Sequence, residues 1–356
     1  MCRVPLAPGV LVTLLGLAGV ADAAAGPVAA PMPRELTGAA RAEAIDQLQA
    51  MRRDLRTHTS GTGVATVHSR DESASPSFHG HSAEDCSVSF AFDAQASLIR
   101  ITDNDQSIGL TMARLCSGHV EVALRRDTAR QADGPAIRRV WSIDRWSDRA
   151  VVPEGKPAAR AAFAGWSTDD WTYGQLTAIP DGADEDHLFL LARRGSFRVS
   201  RDGPDLVLYE EHQSRRFGKF SQEYVFSLSQ GGVPVRATFH RGNDQTETRS
   251  IEWTQSLAGV VPKTYTVRTV ASNAATKYWH VVQRDVVFEK FDLGPVPPDL
   301  LCVRALGGAS GIPPGTSVID FADQQPGHPP PSFIYSEPTW KRMFGEDPAR
   351  RTGVGP

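Results

Sequence analysis

The stretch FSQEYVFSLSQGGVPVRATFHRGNDQTETRSIEW, residues 220–253, decides the fold. Tyr224, Phe226 and Leu228 fall on one face of an extended segment, and Gly231-Gly232 then turns the chain. Val233, Val235, Ala237 and Phe239 alternate against Arg236, Thr238 and His240. A second turn follows at Gly242-Asn243-Asp244, and Ile251 and Trp253 continue the apolar series. Period-two alternation broken by tight turns predicts antiparallel neighbours with one apolar face and one wet face.

The pattern extends in both directions. Upstream, SFRVSRDGPDLVLYEEH (196–212) turns at Asp202-Gly203-Pro204. Downstream, TYTVRTV supplies Tyr265 and Val267, and YWHVVQRDVVFEKF (278–291) closes the run. The first half repeats the theme in 63–70, 87–93, 97–103, 107–116, 119–127 and 137–143. Before it, residues 35–56 place Leu36, Ile45, Leu48, Met51 and Leu55 at helical spacing. The fold class expected is therefore mainly β (α+β): a large curled antiparallel sheet or unclosed β-barrel, with the N-terminal helix as a lid.

Residues 144–186 break the pattern with Pro, Gly, Ala and three Trp, and are expected to form a long insertion. Beyond Gly307, Gly and Pro dominate apart from Val318-Ile319-Asp320-Phe321, so 322–356 is expected to be a mobile tail. At the other end Arg3, the apolar run Val10 to Ala21 and Ala21-Asp22-Ala23 read as an export signal cut after Ala23. The expected organisation is a signal peptide at 1–23, a linker at 24–34, one β domain at 35–321 and the tail. After cleavage Cys86, Cys116 and Cys302 remain; Cys86 and Cys116 either pair across neighbouring strands or stay as buried thiols.

Composition excludes some functions. Thirty-eight basic against 41 acidic residues give a net charge of −3 without basic runs, so nucleic acid is not an expected partner. No phosphate-binding loop, zinc-protease helix or nucleophile elbow occurs, so no catalytic residue and no cofactor is expected. His79 and His81 in FHGHSAEDC could share a metal, but the surrounding Ser, Gly and acids read as a solvated loop, so no metal site is expected. Asp169 and Asp170 beside Trp166, Trp171 and Tyr173 leave an envelope carbohydrate hydrolase as a lesser reading.

What remains is the apolar face itself: Tyr224, Phe226, Leu228, Val235, Phe239, Ile251, Trp253, Tyr265 and Val267. With one helix to cover it, this face either packs into a filled core or lines a cavity for an apolar ligand.

Four segments carry a resemblance: SQGGVPVRATFHR, RSIEWTQSLAGVVPKTYTVRT, DVVFEKFDL and GIPPGTSVIDF, the last matching P-x-G-T-x-V-x-D at Pro313 to Asp320. Their order resembles the exported lipoprotein-sorting proteins of the Lol type (LolA/LolB-like), above all secreted relatives from planctomycete-like bacteria. The likeness runs over about residues 35–321, as a pattern of elements rather than one specific motif. It implies an unclosed antiparallel barrel with helices plugging its mouth, and a cavity for lipoprotein acyl chains. The insertion and the Pro-rich tail depart from that pattern, and no residue matches a transfer-specific feature. The expected function is thus an exported, periplasmic or secreted, non-enzymatic binder of lipid or acyl chains that does not span the membrane after cleavage. The alternative is an envelope protein of the same fold with a packed core, binding another envelope protein.

Overall fold

The computed structural model describes residues 34–55, 57–76, 78–103, 110–117, 120–130, 137–147, 176, 185–214, 218–242, 244–322 and 328–344. These fall in one compact unit, Pro33–Pro356. Sixteen strands form one sheet. Its first half runs β1 (Arg34–Leu36), β8 (Arg198–Asp202), β9 (Asp205–Ser214), β10 (Gly218–Ser227), β11 (Val233–Arg241), β12 (Gln245–Ser256), β13 (Gly259–Asn273) and β14 (Tyr278–Leu293). It continues through β2 (Gly61–Ser75), β3 (Phe78–Phe92), β4 (Ala96–Asp103), β5 (Leu110–Ser117), β6 (Val120–Arg130), β7 (Ile137–Ser147), β15 (Ser317–Asp320) and β16 (Ser332–Ile334). The sheet does not close: β1 and β16 stand at its two ends.

Two meanders, β2–β7 and β8–β14, meet where β14 pairs antiparallel with β2. The turns between strands are local, as their sequences predict. Gly203, Gly231, Gly232 and Gly242 all take positive φ, the conformation such turns demand. One pairing departs from the antiparallel expectation, because β15 runs parallel to β7. The sheet is therefore mixed.

Among the described residues the α-helices that accompany it include α1 (Gly38–Leu55), α2 (Glu185–Arg194) and α3 (Glu337–Phe344). Ala44, Ile45, Leu48, Arg52 and Leu55 form the buried stripe of α1, and Arg52 and Arg53 complement its C-terminal dipole. Leu36, expected in this helix, belongs instead to β1, where it pairs with Val199. Arg193 of α2 holds α1 through Asp46 and Gln49.

The core has three parts. Beneath α1 and α2, Tyr224, Phe226, Ala237 and Phe239 pack with Val199, Leu206 and Leu208. A central cluster on the inner face joins Val67, Val88, Phe90, Ile99, Trp253, Val286, Phe288 and Phe291 to Leu55 of α1. The third cluster lies on the opposite face. In β4, Ile99 and Ile101 enter the central cluster, while Ala96 and Leu98 pack with Leu301, Leu306, Trp340 and Phe344. Burial on both faces makes β4 read as a nearly continuous apolar run.

Three expectations are corrected here. Residues 70–85, read as an exposed loop, form the long β2–β3 hairpin, with fifteen residues in each strand. Their polar composition reflects a sheet extension wet on both faces, not a loop. The stretch read as a mobile tail carries β16 and α3, and Trp340 and Phe344 are buried against the sheet. Finally, β4 lies between β3 and β5, so Cys86 and Cys116 are not on neighbouring strands. Residues 1–33 and most of 144–186 lie outside the described residues, and with them the export signal, Trp166, Asp169, Asp170, Trp171 and Tyr173.

The central cluster has an aromatic floor over glycine. Phe90 stands 5.2 Å from Phe291 and edge-on to Phe288 at 6.2 Å. A Cβ on Gly63 would lie 2.2 Å from Phe90 Cζ and 2.7 Å from the Lys290 carbonyl oxygen. The ring could swing away, but the backbone of the paired strand cannot. Gly63→Ala should cost about 1–3 kcal/mol through overpacking. A fall in the thermal unfolding midpoint checks this; an unchanged midpoint would contradict the close approach.

Candidate functional site

The strands bring the expected apolar residues into two groups. Tyr224, Phe226 and Phe239 lie in the cluster covered by α1 and α2, with Leu228 packed against it. Trp253 belongs to the central cluster, with Val235, Ile251 and Tyr265 half-buried at its margin. Val267 joins neither cluster and is half-buried one row further along the strands. Two bulges break what reads in sequence as one continuous face. One shifts β10 against β11 between Val225 and Phe226, and one shifts β12 against β13 between Glu252 and Trp253. Trp253 Nε1 donates to the Pro234 carbonyl at 2.7 Å, fixing the indole at the first bulge.

At the margin of the central cluster an apolar row crosses five strands in register. Ile251 pairs with Tyr265, Tyr265 with Val286, Val286 with Val67, and Val67 with Cys86. Val67 and Val286 are fully buried at the middle of the row. Ile251, Tyr265 and Cys86 remain half-buried, as do Val235 and Met112 beside them. These side chains form a partly covered apolar strip on the inner face, next to the C-terminal end of α1.

The next row changes character. Arg249 pairs with Val267, Val267 with Arg284, Arg284 with Ser69, and Ser69 with Glu84. Beyond it come Glu247, Thr269, Val282, Asp71 and Ser82. The inner face therefore passes from apolar to charged within one step of about 7 Å along the strand. Arg249 contacts Glu247 at 2.6 Å, and His280 contacts Asp71 at 2.9 Å. The sequence reading had not singled out Val67, Met112, Val286 or the two arginines, and had taken Cys86 as a disulfide candidate or buried thiol rather than as part of an apolar row. The alternation of β2 and β14 is legible, but nothing local shows that strands two hundred residues apart are partners.

Burial pushes the Cys86 thiol up to about 11; Arg284 pulls the other way, and Glu84 and Asp103 add to the rise. At pH 8 Cys86 is therefore almost wholly protonated, and only the thiolate alkylates. Iodoacetamide should modify it slowly, with a rate rising about ten-fold per pH unit up to the shifted pKa. Peptide mapping by mass spectrometry reads this site by site. Rapid, pH-independent labelling of Cys86 would contradict its burial.

The histidine pair that suggested a metal is split by its partners. His81 lies 3.7 Å from Glu72, whereas His79 stands opposite Ala74. Among the described residues no group of three His, Cys, Asp or Glu is placed to hold a metal ion. No described helix is long and apolar enough to cross a membrane.

No protein-family model matches the chain, and no curated protein matches it. Solved structures show distant likeness. A domain described as an outer membrane lipoprotein-sorting protein from Vibrio parahaemolyticus is 9% identical over 74% of this chain and 99% of its own, with a TM-score of 0.34. A DUF1329 family protein from Desulfovibrio piger is 8% identical over 74% of this chain and 98% of its own, with a TM-score of 0.31. Lipovitellin is 10% identical over 67% of this chain and 26% of its own, with a TM-score of 0.27. Likeness at this level carries no argument about function, which rests on the chain's own residues.

Proposed function

We infer that the protein is an exported, non-enzymatic binding protein for a hydrophobic ligand, a lipid or the acyl chains of a lipoprotein. One observation carries this reading: the registered inner-face row in which Ile251, Tyr265 and Cys86 stay half-buried around a fully buried centre. Acyl chains laid along it would lose water from both partners, worth about 0.8 kcal/mol per methylene covered. Binding of this kind needs no catalytic group. Export rests on the leader pattern around Val10 to Ala21.

A packed-core envelope protein of the same fold is the second reading. Tyr224, Phe226 and Phe239, at 2%, 0% and 0% exposure, favour it for the part of the sheet beneath α1 and α2. The half-buried row separates the two. Ile251→Asp and Tyr265→Asp each place a carboxylate on the strip, where it would have to be desolvated by the ligand. Each should weaken binding of a fluorescent fatty-acid analogue by about ten-fold or more while the variant stays folded by circular dichroism. Folded variants that bind the analogue as tightly as the parent would sink the assignment.

A further inference from the structure

We propose that the turn between β13 and β14 is a docking tip for the surface of a phospholipid bilayer, with Tyr278 and Trp279 in the interfacial layer and Lys277 on the lipid phosphates. This contact is separate from the apolar strip and does not depend on it.

β13 and β14 run for 15 and 16 residues and carry the turn far from the strip. Asn273 and Tyr278, the last pair of the ladder, lie eight residues beyond the Tyr265–Val286 pair, about 27 Å along the strand. Residues 272–279 are all exposed. Tyr278 and Trp279, at 37% and 39%, are the two aromatic residues among the exposed large apolar side chains of the described residues. Neighbours in a strand point to opposite faces, so one ring stands on each side of the tip. The Tyr278 ring lies 6.3 Å from the His280 ring, and Trp279 is paired across from Ala74 of β2. Rings with an apolar body and a polar edge concentrate where hydrocarbon gives way to water.

The backbone of the turn is prepared for a layer poor in water. Asn273 Oδ1 accepts from the Ala275 and Thr276 N–H groups at 3.0 and 3.1 Å. The Ser272 N–H donates to the Asp244 carbonyl. Donors satisfied inside the protein cost little to move away from water. Lys277 carries the only charge between Ser272 and Trp279. It is also the one non-glycine residue with positive φ among the described residues, at 53°. Glycine or asparagine would hold that conformation at lower cost. A lysine there keeps an ammonium beside the two rings, where the phosphates of a bilayer would meet it. The carboxylates of β2 towards this end are engaged by histidines, Asp71 by His280 at 2.9 Å and Glu72 by His81 at 3.7 Å. Ser272, Asn273 and Thr276 surround the rings with polar groups, as at a boundary between lipid and water rather than in an apolar protein interface.

Sedimentation with sucrose-loaded vesicles of equimolar phosphatidylethanolamine and phosphatidylglycerol tests the tip. The chain in its exported form should sediment with them. Trp279→Ala and Tyr278→Ala should each weaken vesicle binding by about ten-fold. Lys277→Gln should weaken it by about five-fold, a difference that disappears at high salt. These side chains are exposed, so each variant should keep its fold and its affinity for a fluorescent fatty-acid analogue. Tyr265→Asp, which strikes the strip, should still sediment. A parent chain that stays in the supernatant would overturn the proposal, leave the rings to a protein partner and leave the strip reading intact. Tip variants that sediment as well as the parent would overturn it too.

Discussion

Asp320→Ala should cost about 3–5 kcal/mol of stability, because it removes the buried carboxylate from an ion pair. Asp320 is 1% exposed, and its two carboxylate oxygens each accept from Arg145 Nη1, at 3.0 and 3.2 Å. Its Oδ1 also accepts from the Ala322 backbone N–H at 3.1 Å. Arg145 lies on β7 and packs over the Phe344 ring of α3 at 4.3 Å. Its carbonyl accepts from Phe321 N at 2.9 Å, and the Phe321 ring stacks on Trp146 at 3.9 Å. One ion pair therefore ties β15 to β7, and Arg145 carries the link on to α3. Urea unfolding of Asp320→Ala should show the loss as a lower midpoint with an unchanged slope. Asp320→Asn, which keeps the shape, should lose less. A cost below about 1 kcal/mol for alanine would mean that the C-terminal segment is not anchored in this way.

Phe226→Ala should destabilise by a similar amount, about 3–5 kcal/mol. The ring is fully buried, 6.4 Å from Phe189 of α2 and 5.2 Å from the Arg52 guanidinium of α1. Arg52 Nη1 in turn donates to the Gly232 carbonyl at 3.0 Å, at the turn that begins β11. Removing the ring opens a cavity that three elements cannot close together, since the turn and both helices are pinned. Thermal unfolding measures the effect. In the parent fold this residue is buried core beneath α1 and α2. A folded Phe226→Ala protein of near-parental stability that had lost lipid binding would reverse that assignment.

Much of the sheet was legible because antiparallel meanders are local. The Asp202-Gly203-Pro204, Gly231-Gly232 and Gly242 turns each announce a hairpin, and each joins strands that pair. The helix stripe of Ile45, Leu48 and Leu55 was equally plain. The closing contact between β14 and β2 was not, because no turn links strands so distant in the chain. The parallel β15–β7 pair was hidden for the same reason. The β2–β3 extension was misread because strand propensity gave way there to Ser, Glu, Asp and His. Its strands are set by pairing on both sides: His68 contacts Asp85 at 2.8 Å across β3, and Asp71 contacts His280 at 2.9 Å across β14.

The candidate site was half legible. Ile251, Trp253, Tyr265 and Val235 reached the inner-face cluster. Tyr224, Phe226 and Phe239 alternate just as regularly, yet α1 and α2 cover them. Alternation reports which face a side chain takes, and says nothing about what lies on top. A single-residue bulge, invisible in sequence, moves the chain from one cluster to the next.

The most direct test of the central claim is the mass of the protein itself. Native mass spectrometry of the chain, produced in exported form and purified without added lipid, should show a species heavier by several hundred daltons, lost on organic extraction. The same preparation of Tyr265→Asp should show the bare polypeptide. A bare polypeptide from the parent chain, with no uptake of lipid when lipid is then supplied, would contradict the account and leave the packed-core envelope protein in its place.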